Sequence, residues 1–419
     1  MPPGGPSGAV SRRRRRRATP LVTAGLALGL AACGSGGTAP AGAPVPAGLP
    51  QAQAVPGSGG TWATLAMGHV DDPLNTFGEL FYRPSCSGTA GCTGGTAWAL
   101  ATPPGVASNG GIMVASNPAG GVTAGFGVSL ALRFSPLAES TDAGAVWTGG
   151  ILPVALAAQP DALAASGPTQ RLALSAAPPL GPGGVYATST DLTRWTHLAT
   201  LGTVTAAASS SGCTLRALTA VAVTAAGDDL VAGDCTGGDH VAVARVGAAG
   251  GPTATTMVGP QVPTVRNGPV RVLRMASSTT GVAVLVQVGT PGRTTLYEAT
   301  APEGTSSWTF SPPFATDRPV VATAVAPASG FVVLLGAAGS GGAPSALALV
   351  GPGVPWHTPP APPSGTAVVA ASDDGSLDAL VPSGVVLDVY RLGADRWSQV
   401  QQLAVPIQYG STSAGGATG

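Results

Sequence analysis

Tryptophan recurs along this chain at a nearly constant interval. The seven tryptophans are Trp62, Trp98, Trp147, Trp195, Trp308, Trp356 and Trp397. From Trp98 onward the intervals are 49, 48, 113, 48 and 41 residues, and the long interval spans about two short ones. Sequence periods of this length are typical of propellers and other repeat arrays. The interval therefore predicts a fold built from repeated units, one of which lacks its tryptophan.

Short aliphatic and β-branched runs, separated by Gly, Pro, Ser or Asp turns, fill each interval. Such runs predict strands, and no segment beyond the N-terminal region shows sustained helical spacing. We therefore predict an all-β fold, a seven-bladed β-propeller over residues 60–409, with a linear solenoid as the alternative. Trp62 precedes the first complete unit, and we expect its strand to close the ring by pairing with the C-terminal run 403–409.

The N-terminus carries the parts of an export signal. Six arginines at positions 12–17 precede an apolar run at 21–32, which is too short for the about 20 residues that span a bilayer. Leu30-Ala31-Ala32-Cys33 resembles the lipobox of bacterial lipoproteins. The resemblance implies a signal peptide over 1–32, removed before a lipidated Cys33. We expect the acylated chain to bind the outer face of the bacterial cytoplasmic membrane, by the general secretory or the twin-arginine route.

Composition limits the remaining functions. Residues 33–59 are rich in Gly, Ala and Pro and predict a flexible tether, and residues 410–419 predict a disordered tail. Charged residues are only 9% of the chain, and beyond Cys33 there are 13 arginines against 19 carboxylates, with no lysine. Nucleic-acid binding needs a clustered basic surface, so this composition argues against it. The expected partner is an extracytoplasmic protein, glycan or small ligand.

Five cysteines fit an oxidising compartment. With Cys33 assigned to the lipid, four remain, and we predict the disulfides Cys86–Cys92 and Cys213–Cys235. Free buried thiols are the alternative. The spacing of Cys and His residues suits no zinc site, and we expect neither a metal nor a cofactor.

One turn carries a recognisable motif. Ser140, Asp142, Gly144 and Trp147 follow the pattern Ser-x-Asp-x-Gly-x-x-Trp, and residues 189–195 form a shorter copy without the glycine. The motif resembles the Asp-box, or BNR, repeat of sialidases and of many propellers that are not sialidases. In that family the box lies between outer strands, away from the central cleft. The resemblance therefore implies a structural role for these four residues.

Charge and aromatic residues concentrate in one other segment, between residues 69 and 83. Its candidate ligand-binding residues are Asp71, Asp72, Asn75 and Arg83. Asp and Asn side chains also bind backbone donors within their own turns, so a plain turn is the competing interpretation.

A catalytic constellation is not evident, and we name no catalytic residue. The function predicted is a membrane-anchored binding module; the alternative is a divergent sialidase-like glycoside hydrolase. That alternative needs arginines that converge on one mouth of the ring beside a Tyr–Glu contact. The candidate arginines are Arg83, Arg133, Arg216 and Arg274. Tyr297 and Glu298 are sequence neighbours, but neighbours on a strand point to opposite faces.

Overall fold

Strands pair with their sequence neighbours almost throughout the chain. The computed structural model describes residues 50–406, except 56–59, 69–75, 86–96, 105–110, 118–120, 128–132, 167–169, 177–182, 189–190, 210–211, 237–238, 248–254, 264–267, 291–292, 305–306 and 338–345. All described residues belong to one compact unit, Ala43–Gly419. Hydrogen bonding joins the 29 strands of this part of the chain into five sheets, two of which each combine two groups of consecutive strands. For description we divide the strands into seven consecutive antiparallel groups, which we call sheets 1 to 7.

The first four sheets contain four strands each. Sheet 1 consists of β1 (Gln51–Ala54), β2 (Thr61–Gly68), β3 (Thr76–Arg83) and β4 (Ala99–Leu100). Sheet 2 consists of β5 (Ile112–Ser116), β6 (Val122–Phe126), β7 (Ser135–Ser140) and β8 (Thr148–Leu152). Sheet 3 consists of β9 (Leu163–Ser166), β10 (Gln170–Leu174), β11 (Gly184–Thr188) and β12 (Thr196–Thr200). Sheet 4 consists of β13 (Leu215–Val223), β14 (Asp229–Cys235), β15 (Ala242–Val246) and β16 (Thr255–Met257).

The last three sheets contain five, four and four strands. Sheet 5 consists of β17 (Val270–Ser278), β18 (Gly281–Thr290), β19 (Arg293–Pro302), β20 (Thr309–Phe310) and β21 (Phe314–Thr316). Sheet 6 consists of β22 (Val320–Val325), β23 (Phe331–Leu335), β24 (Ala346–Gly351) and β25 (Val354–His357). Sheet 7 consists of β26 (Val368–Ala371), β27 (Leu377–Ser383), β28 (Val386–Leu392) and β29 (Trp397–Ala404).

The sheets form a closed ring. Each sheet packs on the next, and sheet 7 packs on sheet 1 through β26 and β27. The first strand of each sheet faces the centre, where β1 also pairs in parallel with β22. The faces between sheets are apolar: Leu285, Phe331 and Val333, for example, are fully buried between sheets 5 and 6. This architecture confirms the predicted all-β propeller class.

Tryptophan side chains link each sheet except sheet 4 to the one before it. The indole N–H of Trp195, in sheet 3, donates to the carbonyl of Ile151 on β8 at 3.0 Å. The other indole donors follow the same direction: Trp308 to Val258 at 2.6 Å, Trp356 to Ser311 at 3.2 Å, and Trp397 to Pro360 at 3.0 Å. Trp147 of sheet 2 packs edge-on against Trp62 of sheet 1, with ring centroids 6.3 Å apart. The sequence period therefore marks contacts between sheets.

A helix occupies the boundary where the tryptophan is missing. Helix α1 (Leu201–Ala208) lies between sheets 3 and 4 and contacts strands of both. Thr200 caps it, because the Thr200 hydroxyl accepts the Thr203 N–H and the Thr203 hydroxyl accepts the Thr200 N–H. Val204 and Ala208 are its buried residues. The sequence shows no sustained helical spacing at this helix, because capping and burial of one short face stabilise it without such spacing.

The ring closes through side chains of sheets 1 and 7. Arg83, 1% exposed, donates to the hydroxyls of Ser372 and Ser376 at 2.6 and 2.7 Å. Its guanidinium also pairs with Asp374 at 2.9 Å and with Asp378 at 3.2 Å. We call Arg83, Asp374 and Asp378 the closing clasp.

Trp98 and Gln401 complete the junction between these sheets. The Trp98 indole donates to Asp378 at 2.9 Å. The Gln401 amide accepts the backbone N–H of Trp98 at 2.8 Å and donates to its carbonyl at 2.7 Å, as a neighbouring strand would. Arg391 adds two further bonds to Asp378, at 2.8 and 3.0 Å. Asp378 thus has charged and polar partners from both sheets.

Two predicted boundaries are corrected by this pairing. Trp62 lies on β2 and pairs with Gln53 and Tyr82, whereas Leu403 pairs with Leu387 inside sheet 7. The expected strand shared between the two ends of the domain is therefore wrong. The predicted tether 33–59 also extends too far, because β1 is already part of the ring and the domain begins before residue 60.

Removing the carboxylate of Asp378 should open the ring at its closure. Asp378→Ala leaves the buried guanidinium of Arg83 without one of its counter-ions, and loss of a buried partner costs about 3–5 kcal/mol. Asp388→Ala is the matched control, because Asp388 lies on the adjacent strand but binds only the exposed amides of Gln399 and Gln402. Urea unfolding should show a large loss for the first variant and a small loss for the second. Equal losses of stability in the two variants would contradict a particular role of the closing clasp in holding the ring together.

Candidate functional site

The inner strands end at two openings, one at each end of the ring. At the first opening, the last residues of β1, β5, β9, β13, β17 and β22 and the turn after β26 surround a cavity of about 270 Å³. We call it the funnel. Its wall consists mostly of small side chains, with Ser116, Ser166, Ser278 and Ser329 among them. All seven sheets contribute to it.

The second opening lies at the start of the inner strands. A cavity of about 630 Å³ there is lined by residues that precede or begin β1, β9, β17 and β22, and we call it the cleft. Its chemistry differs from that of the funnel. The cleft's charged and amide side chains are Gln159, Asp234, Arg271, Gln287, Asp317 and Arg318.

A buried ion pair contacts the lining of both cavities. Asp161 and Arg274 form the pair. Asp161 lines the funnel, and Leu273 and Thr323, which adjoin Arg274, line the cleft. The Arg274 Nε lies 2.9 Å from both carboxylate oxygens of Asp161, and Arg274 Nη1 donates to the carbonyl of Thr323 at 3.0 Å. The backbone N–H of Met275 also donates to Asp161, at 2.7 Å. Arg274 is fully buried, so this pair connects residues that line the two cavities without itself lying open to the cleft.

Asp234 and Arg271 face each other in the cleft. The Nε of Arg271 lies 3.9 Å from Asp234 Oδ2, a loose contact between two partly exposed side chains. Burial raises the pKa of Asp234, although Arg271 and the backbone N–H of Val272 act in the opposite direction. Among the described residues, Asp234 Oδ1 has no hydrogen-bond partner. The cleft therefore offers an acceptor and a guanidinium whose mutual pairing is weak.

The predicted ligand-binding residues are only partly described. Asp71, Asp72 and Asn75 lie outside the described residues. Arg83 lies in the closing clasp, buried among hydroxyls and carboxylates of sheet 7. This geometry favours a structural role for Arg83 over the predicted role in ligand binding.

The structure describes two of the five cysteines. Cys33, Cys86 and Cys92 lie outside the described residues, so lipidation and the first disulfide stay predictions. The Cys213–Cys235 disulfide is present, with its two Cα atoms 5.3 Å apart. It connects the segment before β13 to the end of β14, within the sheet that lacks a tryptophan.

The turn at Ser140 is held by its own side chains. Asp142 accepts the backbone N–H of Val146 at 2.9 Å and the hydroxyl of Ser140 at 2.7 Å, and these bonds hold the pKa of Asp142 below its usual range. Ser140 accepts the N–H of Gly144, which has a φ of +89°. The turn lies between outer strands β7 and β8, away from both cavities, with Trp147 beside it. Its kinship with the Asp-box repeat stays a prediction.

The arginines expected for a sialidase-like site do not gather at one mouth. Arg83 is in the closing clasp and Arg274 is paired with Asp161, while Arg133 and Arg216 are exposed. Tyr297 and Glu298 occupy adjacent positions of β19, so their side chains point to opposite faces.

Sequence reasoning missed the residues of both cavities. Arg271 begins an inner strand, Asp317 and Arg318 precede another, and Asp234 ends a neighbouring strand. They come from sheets 4, 5 and 6 and form no local motif. The available signal was their rarity, because a charged residue beside an inner strand stands out in a chain that is 9% charged.

Known structures support the class of fold. The chain is similar to the GH74 xyloglucanase from Xanthomonas campestris, with 15% identity and a TM-score of 0.51 over 84% of this chain, and it spans 53% of that protein's length. It also resembles a putative 6-phosphogluconolactonase from Bacteroides uniformis, with 11% identity, a TM-score of 0.48 and coverage of 82% and 96% of the two chains. The SapL1 lectin has 11% identity, a TM-score of 0.39 and coverage of 86% and 97%.

The likeness extends to the fold and no further. No protein-family model matches the chain, and no curated protein matches it. Similarity at this level of identity supports the β-propeller class, and the number of blades stays a prediction. Within the described residues, no three His, Cys, Asp or Glu side chains group as metal ligands, and no helix is long and apolar enough to cross a bilayer.

Glu298 is a buried carboxylate between sheets 5 and 6. It is 2% exposed, and its Oε1 has no hydrogen-bond partner in the described part of the chain. Burial raises the pKa of Glu298 from 4.5 to about 7. Because the folded protein favours the neutral acid, this group stabilises the fold at low pH. That stability is lost as pH rises from about 4.5 through about 7.

Replacing Glu298 by Gln should therefore stabilise the protein at high pH only. We expect a higher melting temperature than wild type at pH 8, where a charged and unsatisfied group costs about 1–3 kcal/mol, and little difference at pH 4.5. Asp388→Asn is the control, because the Asp388 carboxylate is half-buried and accepts the side-chain N–H groups of Gln399 and Gln402. Thermal unfolding at the two pH values measures the difference. A Glu298→Gln variant that is no more stable at pH 8 would contradict this account of Glu298.

Proposed function

We propose that this protein is a membrane-anchored, extracytoplasmic binding module whose ligand is held in the cleft. The observation that carries the proposal is the cleft itself: about 630 Å³, within the usual range of ligand pockets, with charged and amide groups converging on it. Arg271, Gln287 and Asp234 supply donors and acceptors for a polyhydroxylated ligand. A glycan is the ligand class that such planar polar groups suit best.

The probes follow from the names of similar structures. Xyloglucan oligosaccharides and α-methyl fucoside are the first ligands to titrate, because one similar protein is a xyloglucanase and another was crystallised with α-methyl fucoside. We use these names only to select the probes, and they assign no ligand specificity to this chain.

Titration calorimetry with the purified protein tests binding in the cleft. Arg271→Ala and Arg318→Ala should each weaken binding about tenfold or more, since a hydrogen bond to a charged group contributes about 1.5–3 kcal/mol. Arg396→Ala is the matched control, because Arg396 is exposed beside β29 in sheet 7. Binding unchanged in both cleft variants would exclude the cleft as the site.

One observation favours a glycoside hydrolase as the second candidate function. The cleft contains two carboxylates, Asp234 and Asp317, and burial raises the pKa of Asp234, as a general acid requires. Release of reducing ends from the same oligosaccharides, lost in Asp234→Asn and Asp317→Asn, would establish hydrolysis. Binding without release supports the binding module.

The anchor is proposed from Cys33 and the export signal before it. The Cys33→Ala variant should leave the membrane fraction or remain as an uncleaved precursor, because the thiol that carries the lipid is gone. Ser35→Ala, two residues further on, should behave like wild type. Cell fractionation and intact mass of the protein measure both effects. A Cys33→Ala protein that stays on the membrane with a normally cut N-terminus contradicts the anchor.

A further inference from the structure

We infer that the funnel is a second binding site, separate from the cleft, and that it takes a small uncharged molecule rich in hydroxyl groups. The funnel lies at the opposite end of the ring from the cleft, and the Asp161–Arg274 pair lies between them. Its volume of about 270 Å³ is equivalent to about nine water molecules, so the occupant is about the size of one sugar unit. Ligand binding in the cleft does not depend on this site.

An unpartnered hydroxyl in the funnel wall points to a ligand. Ser116, the last residue of β5, is 6% exposed, and its Oγ has no hydrogen-bond partner among the described residues. Buried polar groups in folded proteins are almost always hydrogen-bonded, so an orphan hydroxyl calls for an explanation. The Oγ itself is buried in this rotamer, and rotation about χ1 would turn it toward a hydroxyl of a bound molecule, to which it can donate and from which it can accept.

The charge of the funnel selects an uncharged occupant. Among the residues that the structure describes, the funnel lining contains no arginine or histidine. The carboxylate of Asp161 is paired with Arg274, with the shortest contact at 2.8 Å, and is therefore not available to pair with a charged ligand. Asp373 at the rim accepts the hydroxyl of Ser85 at 3.4 Å, and its carboxylate would repel an anion. An anionic ligand finds no counter-ion here, whereas Ser116, Ser278 and Gln53 offer neutral hydrogen-bonding groups.

The turn at the funnel's rim is held in an uncommon conformation. Ala328 and Ser329, between β22 and β23, have φ values of +55° and +63°. Non-glycine residues adopt this left-handed region rarely, and consecutive examples are strained. Both residues line the funnel, and Ser329 is buried. Strain of this kind concentrates at binding sites, where the surrounding structure holds a rim in a fixed shape.

Saturation-transfer NMR with the purified protein tests the funnel. The probes are glucose, galactose and fucose as neutral sugars, with glucuronate and glucosamine as charged counterparts. We expect at least one neutral sugar to bind, with tenfold or greater loss of affinity in Ser116→Ala and in Ala164→Leu, which places a larger side chain at the half-buried funnel wall. Tighter binding of either charged sugar overturns the assigned ligand class.

Two controls separate this site from the cleft. Ser398→Ala, on the exposed outer strand of sheet 7, should bind as wild type does. Arg271→Ala should leave binding in the funnel unchanged while weakening binding in the cleft. Sugar binding that Arg271→Ala abolishes and Ser116→Ala spares places the ligand in the cleft, which overturns the funnel site and leaves the proposed function intact. Ser116→Ala should retain the wild-type melting temperature, so a loss of binding cannot be ascribed to unfolding.

Discussion

The contact on which the ring depends is the indole side chain that reaches back to the preceding sheet. A single antiparallel sheet cannot bury both of its faces, so each needs a neighbour on either side. Trp195, Trp308, Trp356 and Trp397 combine apolar burial with one hydrogen bond that fixes where the outer edges of two sheets meet. The first and last sheets repeat the contact, because the Trp98 indole donates to Asp378 of sheet 7. The closing clasp, where Arg83 meets Asp374 and Asp378, adds ion pairs at the same junction.

Sequence predicted the repeat because the repeat is local. Tryptophan spacing and the β-branched runs between turns gave the class of fold, since each sheet is built from consecutive strands. The same reasoning failed where contacts between residues far apart in the sequence determine the local structure. The strand at Gln51–Ala54 is embedded in a Gly/Pro-rich segment and is stabilised by pairing with β22, some 270 residues away. Helix α1 escaped notice because its support comes from two threonines and from the sheets around it.

The candidate sites were less accessible to sequence reasoning than the fold. Arg83 and Arg274 are indistinguishable in sequence from Arg271, yet the first two are buried in ion pairs and the third lines an open cleft. Which arginine is structural depends on carboxylates between 100 and 300 residues distant, at Asp161 and Asp378. The motif at Ser140 was the opposite case. Its partners lie within six residues, so the pattern of residue types and the bonds that they make could be anticipated together.

The buried Asp161–Arg274 pair ties inner strands of three sheets together between the two ends of the ring. Desolvating two charges offsets most of their attraction, so such a pair adds less to stability than to specificity of arrangement. Here one carboxylate from the start of sheet 3 meets a guanidinium from sheet 5, which also binds the backbone of sheet 6. The pair therefore fixes three inner strands relative to one another. The two cavities beside these strands differ in chemistry, because the cleft carries four charged side chains, whereas small hydroxyl and methyl groups make up most of the funnel wall.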